Sequence, residues 1–311
     1  MRIIFLGTPG FAVPALLQLA GGPLSPAAVY TRPDRPAGRG RAVAAPPVKE
    51  AALELGLTVL QPDSLKTQEA LEGLHDLAPE VIVVAAYGQL LPPAVLALPR
   101  FGCVNIHPSL LPKYRGAAPI PAAVLAGDDF TGVSLMLLDE GMDTGPIISQ
   151  AAVSISPQDN TGTLTQKLAR VAAALLGEVL PRYLRGEVAP RPQDEARATG
   201  SATIRHEDGA IDWASPATAI WLKVRAYYPW PGCYTNWRGR QLKILEAYPL
   251  AATKVLPGQV VATDGQSGGL GIGTGEGVLG ILRLQMAGRR PMGAREFLRG
   301  QPGLLGEVLP S

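Results

Sequence analysis

The chain has 311 residues, 47% of them hydrophobic, and a net charge of only +2 from 28 Lys and Arg against 26 Asp and Glu. That length suits about two domains, and so even a balance excludes a chain that is polycationic throughout. Two cysteines, Cys103 and Cys233, exclude a disulfide framework and lack metal-ligand spacing, so no metal is expected and an intracellular, cytoplasmic location is. The N-terminal apolar run meets a glycine after six residues, and no uncharged apolar run of about 18 residues follows, so neither a signal segment nor a membrane span is expected.

In chain order, RIIFLG (2–7) reads as a buried strand. The following GTPGFAVPALLQLA reads as a helix with Ala12, Leu16, Leu17 and Leu19 on its apolar face. AAVYT (27–31) is a second strand. After it RPDRPAGRGRAVAAPPVK (32–49) is long against the usual connection of about 2 to 6 residues, and residues 32–41 hold four arginines and one aspartate. A helix over 47–55, the strand LTVLQP and another helical segment lead to PEVIVVAAYG. Its continuous Val and Ile run predicts a strand covered on both faces. FGCVNIHPS supplies the next strand. This alternation predicts an α/β fold with a doubly wound, mostly parallel sheet, which seats ligands beyond the carboxyl ends of its strands.

Residues 132–155, GVSLMLLDEGMDTGPIISQAAVSI, predict a pair of strands around a polar turn. NTGTLTQKLARVAAALLGEVLPRYLRG predicts a long helix with Thr163 as its N-cap. The aperiodic stretch 187–205 reads as a linker between a catalytic domain over 1–186 and a smaller domain over 206–311. The smaller domain opens with a helix stopped by Pro229 and Pro231. CYTNW, QLKILEAYPL, GQVVATD, GLGIGTG and GVLGILRLQMAG then supply five short strands, which predict a mostly antiparallel, OB-like β-barrel. Residues 197–311 carry 13 basic and 8 acidic side chains, whereas residues 1–196 carry 15 and 18.

Four stretches are candidate sites. FLGTPG lacks the third glycine of a dinucleotide fingerprint and reads as a tight strand-to-helix turn rather than a phosphate cradle. The basic loop 32–49 reads either as a solvated excursion or as a phosphate-contacting element with Arg39, flanked by glycines, at its centre. In GCVNIH the period of two puts Asn105 and His107 on one face of a strand, aimed at its carboxyl end. Asparagine is a neutral donor for an oxygen that becomes negative, and histidine transfers protons near neutral pH. The alternative is a satisfied core histidine beside an Asx turn. In DEGMDTG (139–145), Asp143 is either an exposed turn former or a carboxylate directed at His107. Ser109 lies near His107 but lacks a nucleophile elbow, which argues against a serine hydrolase.

Taken together, FLGTPGF, TRPDRPAGRGR, AYGQLLP, NIHPSLLPKYRGAAPI, TGVSLMLLDEGMDTG, IDW and YPWPG closely resemble the bacterial methionyl-tRNA formyltransferase family, from residue 1 to about 294. The resemblance implies transfer of the formyl group of 10-formyltetrahydrofolate to the free amine of methionyl initiator tRNA. It implies a catalytic set of Asn105, His107 and Asp143. It implies folate contacts from Tyr87, Gly88, Gln89, Leu90, Ser109, Leu110, Leu111, Pro112 and Asp139. For tRNA it points to Arg35, Arg39 and Arg41 in the loop and to Lys223, Arg225, Arg238, Lys243, Arg289 and Arg290 in the second domain. It also implies a monomer. The chain departs from the family pattern at Gly10, often Asp, at Tyr114, often Trp, and at SATIR (201–205), where a basic pattern is usual.

Overall fold

The computed structural model describes residues 1–37, 42–251, 255–264 and 269–311. The chain forms two compact units. The first holds Met1–Pro119, Phe130–Ser154 and Thr165–Ser201, and the second holds Ile120–Asp129, Ile155–Leu164 and Ala202–Ser311.

The first unit is built on a seven-stranded sheet. Its strands are β1 (Ile3–Gly7), β2 (Ala28–Tyr30), β3 (Val59–Leu60), β4 (Val81–Ala85), β5 (Cys103–His107), β6 (Phe130–Leu137) and β7 (Ile147–Ser154), in the order β7-β6-β5-β4-β1-β2-β3. The five strands from β3 to β5 are parallel, and β6 and β7 join antiparallel. All ten residues of β1 and β4 are buried, which explains their unbroken apolar sequence: helices cover both faces and leave no place for a polar alternation. On one face Ile4, Leu6, Ile82 and Val84 pack with Leu65, Leu74 and Tyr87.

Helices α1 (Val13–Ala20), α2 (Pro47–Glu54) and α3 (Gln68–Asp76) fall where the apolar spacing places them, and a short further helix α4 (Pro93–Leu96), not expected from the sequence, follows β4. Ala12, Leu16 and Leu19 are buried, but Leu17 is 47% exposed and is not part of the inward face. At 3.6 residues per turn, Leu17 sits a full 100° round from Leu16, off the stripe that Ala12, Leu16 and Leu19 share. Gly7 makes the tight turn expected of FLGTPG. A Cβ there would come within 2.7 Å of Phe5 and 2.9 Å of Ala12, so the turn requires glycine for close strand-to-helix approach.

The long helix α6 (Thr161–Leu184), after the short α5 (Pro119–Leu125), is capped by Asn160 and not by Thr163. Asn160 Oδ1 accepts from the Thr163 amide at 3.0 Å, and Thr163 Oγ1 accepts from the Asn160 amide at 3.0 Å. Thr163 is thus the inner partner of a reciprocal capping box. Residues 187–201, expected to be a linker, group with the first unit. Their Gly200–Ser201 pairs in parallel with Arg115–Gly116.

In the second unit α7 (Ala217–Ala226) accompanies an antiparallel sheet of β8 (Cys233–Trp237), β9 (Arg240–Leu250), β10 (Val260–Val261), β11 (Gly271–Gly273) and β12 (Val278–Met286). Their order is β8-β9-β12-β11-β10, with the short β13 (Met292–Gly293) on β12, followed by α8 (Ala294–Gly300). The alternating burial of Cys233, Thr235 and Trp237 on β8 shows one face inward and one outward.

Candidate active site

Strand β5 ends at the sheet's carboxyl edge with His107 buried at 4% exposure and Asn105 half-buried. Pairing of Asn105 with Met136 and of His107 with Ser134 fixes the register of β5 against β6, so both polar side chains keep one face. After β6 the DEGMDTG turn brings Asp143 back. Its Oδ2 lies 3.6 Å from His107 Nδ1 and accepts the Gly116 amide at 2.8 Å. On the other side of the ring, His107 Nε2 is 3.0 Å from the Tyr114 carbonyl.

A carbonyl can only accept, so the hydrogen-bond network assigns the proton of neutral His107 to Nε2 and leaves the Nδ1 lone pair facing Asp143. Burial holds the imidazole below its ordinary pKa, and Asp143 and the Tyr114 carbonyl oppose that shift. The ring is therefore neutral at neutral pH, with a free base nitrogen beside a carboxylate. Both groups that address it sit on strained backbone: Tyr114 has φ +62° and Asp143 φ +54°, conformations that side-chain-bearing residues adopt only when their surroundings hold them.

Beside this pair lies a cavity of about 400 Å³, lined on one side by Val84, Tyr87, Leu91 and Leu96 and on the other by Leu138, Asp139, Met142 and Asp143, with Asn105 between them. Gln89 and Leu90 also line it. Among the described residues Asn105 has no side-chain hydrogen-bond partner, so its carboxamide is open to a ligand. Asp139 also braces the loop: its Oδ1 accepts from the Gly141 amide at 3.1 Å and Thr144 Oγ1 at 2.7 Å, closing the turn that carries Asp143. Gln89 is tied to Asp63 and Leu65, and Gly88 takes φ +85°, a position suited to glycine. A flat, mainly apolar ring with polar edges fits such a lining.

Ser109, Leu110, Leu111 and Pro112, expected as a wall of the cleft, do not line this cavity. Ser109 is fully buried, with its hydroxyl on the Lys113 carbonyl at 2.6 Å, and Leu111 packs on Met136 and Ile147. Ser134 Oγ and Gln150 Nε2 bind the Ser109 and Leu111 carbonyls at 2.7 and 2.9 Å. These bonds spend the turn's inner face on anchorage, leaving half-buried Leu110 and Pro112 as its outward groups.

The stretch beyond residue 187, which the sequence marks only as a linker, also reaches the site. Thr199 Oγ1 accepts from the Tyr114 amide at 2.9 Å, and Ser201 Oγ from the Ala118 amide at 3.1 Å. Gln193 bonds to the Asp143 and Gly145 carbonyls. No periodicity marks these residues; their backbone-directed polar side chains mean something only once the partner loops are in place. Gly116 records the closeness, because a Cβ there would meet the Ser201 carbonyl at 2.8 Å.

Of the expected tRNA-contacting residues, Arg39 and Arg41 lie outside the described residues. Arg35 is exposed on Arg35–Ala37, which pairs antiparallel with Ala42–Ala44. In the second unit several cations are already engaged. Arg225 donates to the Asp159 and Ser156 carbonyls at 2.7 and 2.8 Å and lies 4.5 Å from the centre of the Trp221 ring, which makes it a structural tie rather than a free phosphate ligand. Its half-buried guanidinium is spent on these two carbonyls. Lys223 and Lys243 each hold a carbonyl, of Ala210 and Pro231, and Arg290 pairs with Glu296 at 2.7 Å. Arg238, paired with Glu307 at 3.1 Å, and Arg289 line one hollow of about 380 Å³ together with Arg240, which donates to the Ala287 carbonyl and which the sequence did not single out.

Residues 1–180 match the formyl transferase family and residues 203–302 match the formyl transferase C-terminal domain family. The chain is 50% identical over 301 residues to the methionyl-tRNA formyltransferase of Chloroflexus aurantiacus (strain ATCC 29366 / DSM 635 / J-10-fl), covering 96% of this chain and 97% of that one. It is 47% identical over 302 residues to the methionyl-tRNA formyltransferase of Dehalococcoides mccartyi (strain ATCC BAA-2266 / KCTC 15142 / 195), covering 97% and 96%. Among solved structures it superposes on WlaRD, a sugar 3N-formyl transferase, with TM-score 0.67, 16% identity and coverage of 93% and 99%. It also superposes on HypX from Aquifex aeolicus in complex with tetrahydrofolic acid, with TM-score 0.63, 20% identity and coverage of 96% and 47%.

Proposed function

The chain belongs to the formyl transferase family, and from that membership and the site's geometry we infer how its residues carry the reaction. The protein is a formyl group transferase that formylates methionyl-tRNA with 10-formyltetrahydrofolate as donor. The observation that supports the residue roles best is the meeting of Asn105 and Asp143 in one cavity, with His107 Nδ1 immediately behind.

In this reading the folate ring occupies the cavity between Tyr87–Gly88–Gln89–Leu90 and Asp139, and the turn of Leu110 and Pro112 lies outside it. Asn105 donates to the formyl oxygen as negative charge develops there, an interaction that strengthens only as the amine attacks and so lowers the barrier. His107 Nδ1 takes the proton that the attacking amine must shed and returns it to folate N10 as the bond from the formyl carbon to N10 breaks, so the new amide and neutral tetrahydrofolate are released. The Tyr114 carbonyl holds Nε2–H, and the Asp143 carboxylate stabilises the imidazolium once it forms. The roles differ in one respect from the sequence expectation: Asp143 is itself exposed to the cavity, so it can also receive the ammonium group of the incoming aminoacyl end before that group loses its proton.

The exposed arginines give tRNA affinity through phosphate contacts, and Arg39 with its flanking glycines is proposed to reach the acceptor end of the initiator tRNA. The hollow bearing Arg238, Arg240 and Arg289 is the favoured contact of the second unit, and Arg225 is withdrawn from that role. Among the described residues no helix is long and apolar enough to cross a membrane, and no group of His, Cys, Asp and Glu could hold a metal ion. We assign the protein to the cytoplasm, acting as a monomer. Incubation with 10-formyltetrahydrofolate and, separately, charged initiator tRNA, charged elongator tRNA or amino sugars tests the substrate. Formylation of initiator methionyl-tRNA well ahead of the others is expected, and preference for an amino sugar overturns the assignment.

A further inference from the structure

Gln193 makes four hydrogen bonds with one carboxamide. Its Nε2 donates to the carbonyls of Asp143 and Gly145, both at 2.8 Å, and its Oε1 accepts from Arg115 Nε and Nη2 at 3.1 and 2.9 Å. Two donors and two lone pairs are all that a glutamine has, and all are used. The orientation is unambiguous, because a flipped amide would set its NH2 against a guanidinium and its oxygen against two carbonyls. Arg115 is in turn held by Glu195, at 2.9 and 2.6 Å. The chain of contacts thus runs from a surface carboxylate through a guanidinium and an amide to the backbone on either side of Thr144.

We propose that Gln193 is a positioning residue for formyl transfer: by gripping the carbonyls of Asp143 and Gly145 it holds Asp143 in its left-handed backbone conformation, with the carboxylate aimed at His107 Nδ1 and the Gly116 amide. The proposal rests on the reading of Asn105, His107 and Asp143 given above. Without the grip, Asp143 at φ +54° relaxes toward negative φ, which swings its carboxylate away from His107 while the cavity lined by Tyr87 and Leu90 stays intact. The charged groups around the pair are few. Asp143 is the one that acts on His107, and Arg115 feels Asp143, Asp139 and Glu195.

Two substitutions separate alignment from anchorage. Gln193→Glu keeps both acceptor contacts to Arg115 and loses the two donors, whereas Gln193→Met keeps the volume and loses all four bonds. With both variants shown to be folded by circular dichroism and thermal melting, each is expected to lower kcat by roughly 10- to 100-fold, the scale of a misplacement near 1 Å, with KM for folate and tRNA within about twofold. In Gln193→Met the acid limb of kcat against pH is expected to move to lower pH, because Asp143 no longer favours protonated His107. Wild-type kcat in Gln193→Glu, or a loss in Gln193→Met that follows only the folded fraction with the acid limb unmoved, overturns the proposal. Asp143→Asn, run in parallel, distinguishes the two levels. If it transfers formyl normally, the catalytic reading falls and the positioning role with it; if it is crippled while both Gln193 variants are not, the positioning role alone falls.

Discussion

The polar residues around His107 and the cations of the second unit use hydrogen bonds in opposite ways. Around His107 the groups converge: Tyr114, Asp143, Gly116, Gln193 and Thr199 come from three separate stretches of chain and bond to one another or to the ring. In the second unit Lys223, Lys243 and Arg238 are tied to separate places, to Ala210, Pro231 and Glu307. A converging network fails when one member is lost, because each remaining group is left misaimed or unsatisfied. A dispersed set of surface charges loses one contribution at a time, and salt screens it. The two arrangements thus differ in how they tolerate the loss of one member.

That contrast is most sharply broken or upheld at His107. His107→Ala is expected to lower kcat by about 10²- to 10⁴-fold in single-turnover formylation while filter-binding affinity for tRNA stays near wild type. Asn105→Ala should cost about 10²- to 10³-fold in kcat, the scale for one oxyanion donor, again with little change in affinity. The pH profile probes the same network. Burial lowers the pKa of His107, so the acid limb of kcat is expected below the ordinary histidine value of about 6.5. Asp143→Asn, which removes the opposing charge, should push the limb lower still.

Smaller effects are expected in the second unit. Arg225→Ala removes two bonds to carbonyls and is expected to destabilise the protein by about 1–2 kcal/mol, after allowing for the exposed part of the guanidinium. It should lower Tm without a change in the salt dependence of tRNA binding. Arg289→Ala should leave Tm and kcat alone and reduce the slope of log affinity against log salt by about one phosphate contact. Equal slopes for both variants would show that the second unit does not divide structural from phosphate-binding arginines in this way.

Much of the fold and part of the site are legible in the chain. The apolar runs of β1 and β4 and the alternation of strand and helix signals are local properties, and the period of two already places Asn105 and His107 on one face. Leu17 and Thr163 show how far such readings reach. A helix face is a matter of angle that one extra apolar residue blurs, and a cap is settled by which of two neighbouring polar side chains lies outside the first turn. Residues 187–201 are illegible for a different reason. Gln193, Thr199 and Ser201 bond to backbone groups near residues 114–118 and 143–145, so their own spacing carries no sign of their partners.

Short-range pattern is enough to specify the set of segments: the buried strands, the glycine turn at Gly7, the strand end bearing Asn105 and His107, and the polar turn bearing Asp143. Each follows from the chain's local periodicity and from the conformations its glycines and prolines allow. The assembled fold settles which way Asp143 faces, which nitrogen of His107 lies toward Asp143, that Gln193 grips the Asp143 carbonyl, and that Arg225 is bonded to the Asp159 and Ser156 carbonyls. Those are properties of contacts between residues far apart in the chain, and a hydrogen bond depends on where both partners lie, which only the packed sheet and its loops specify.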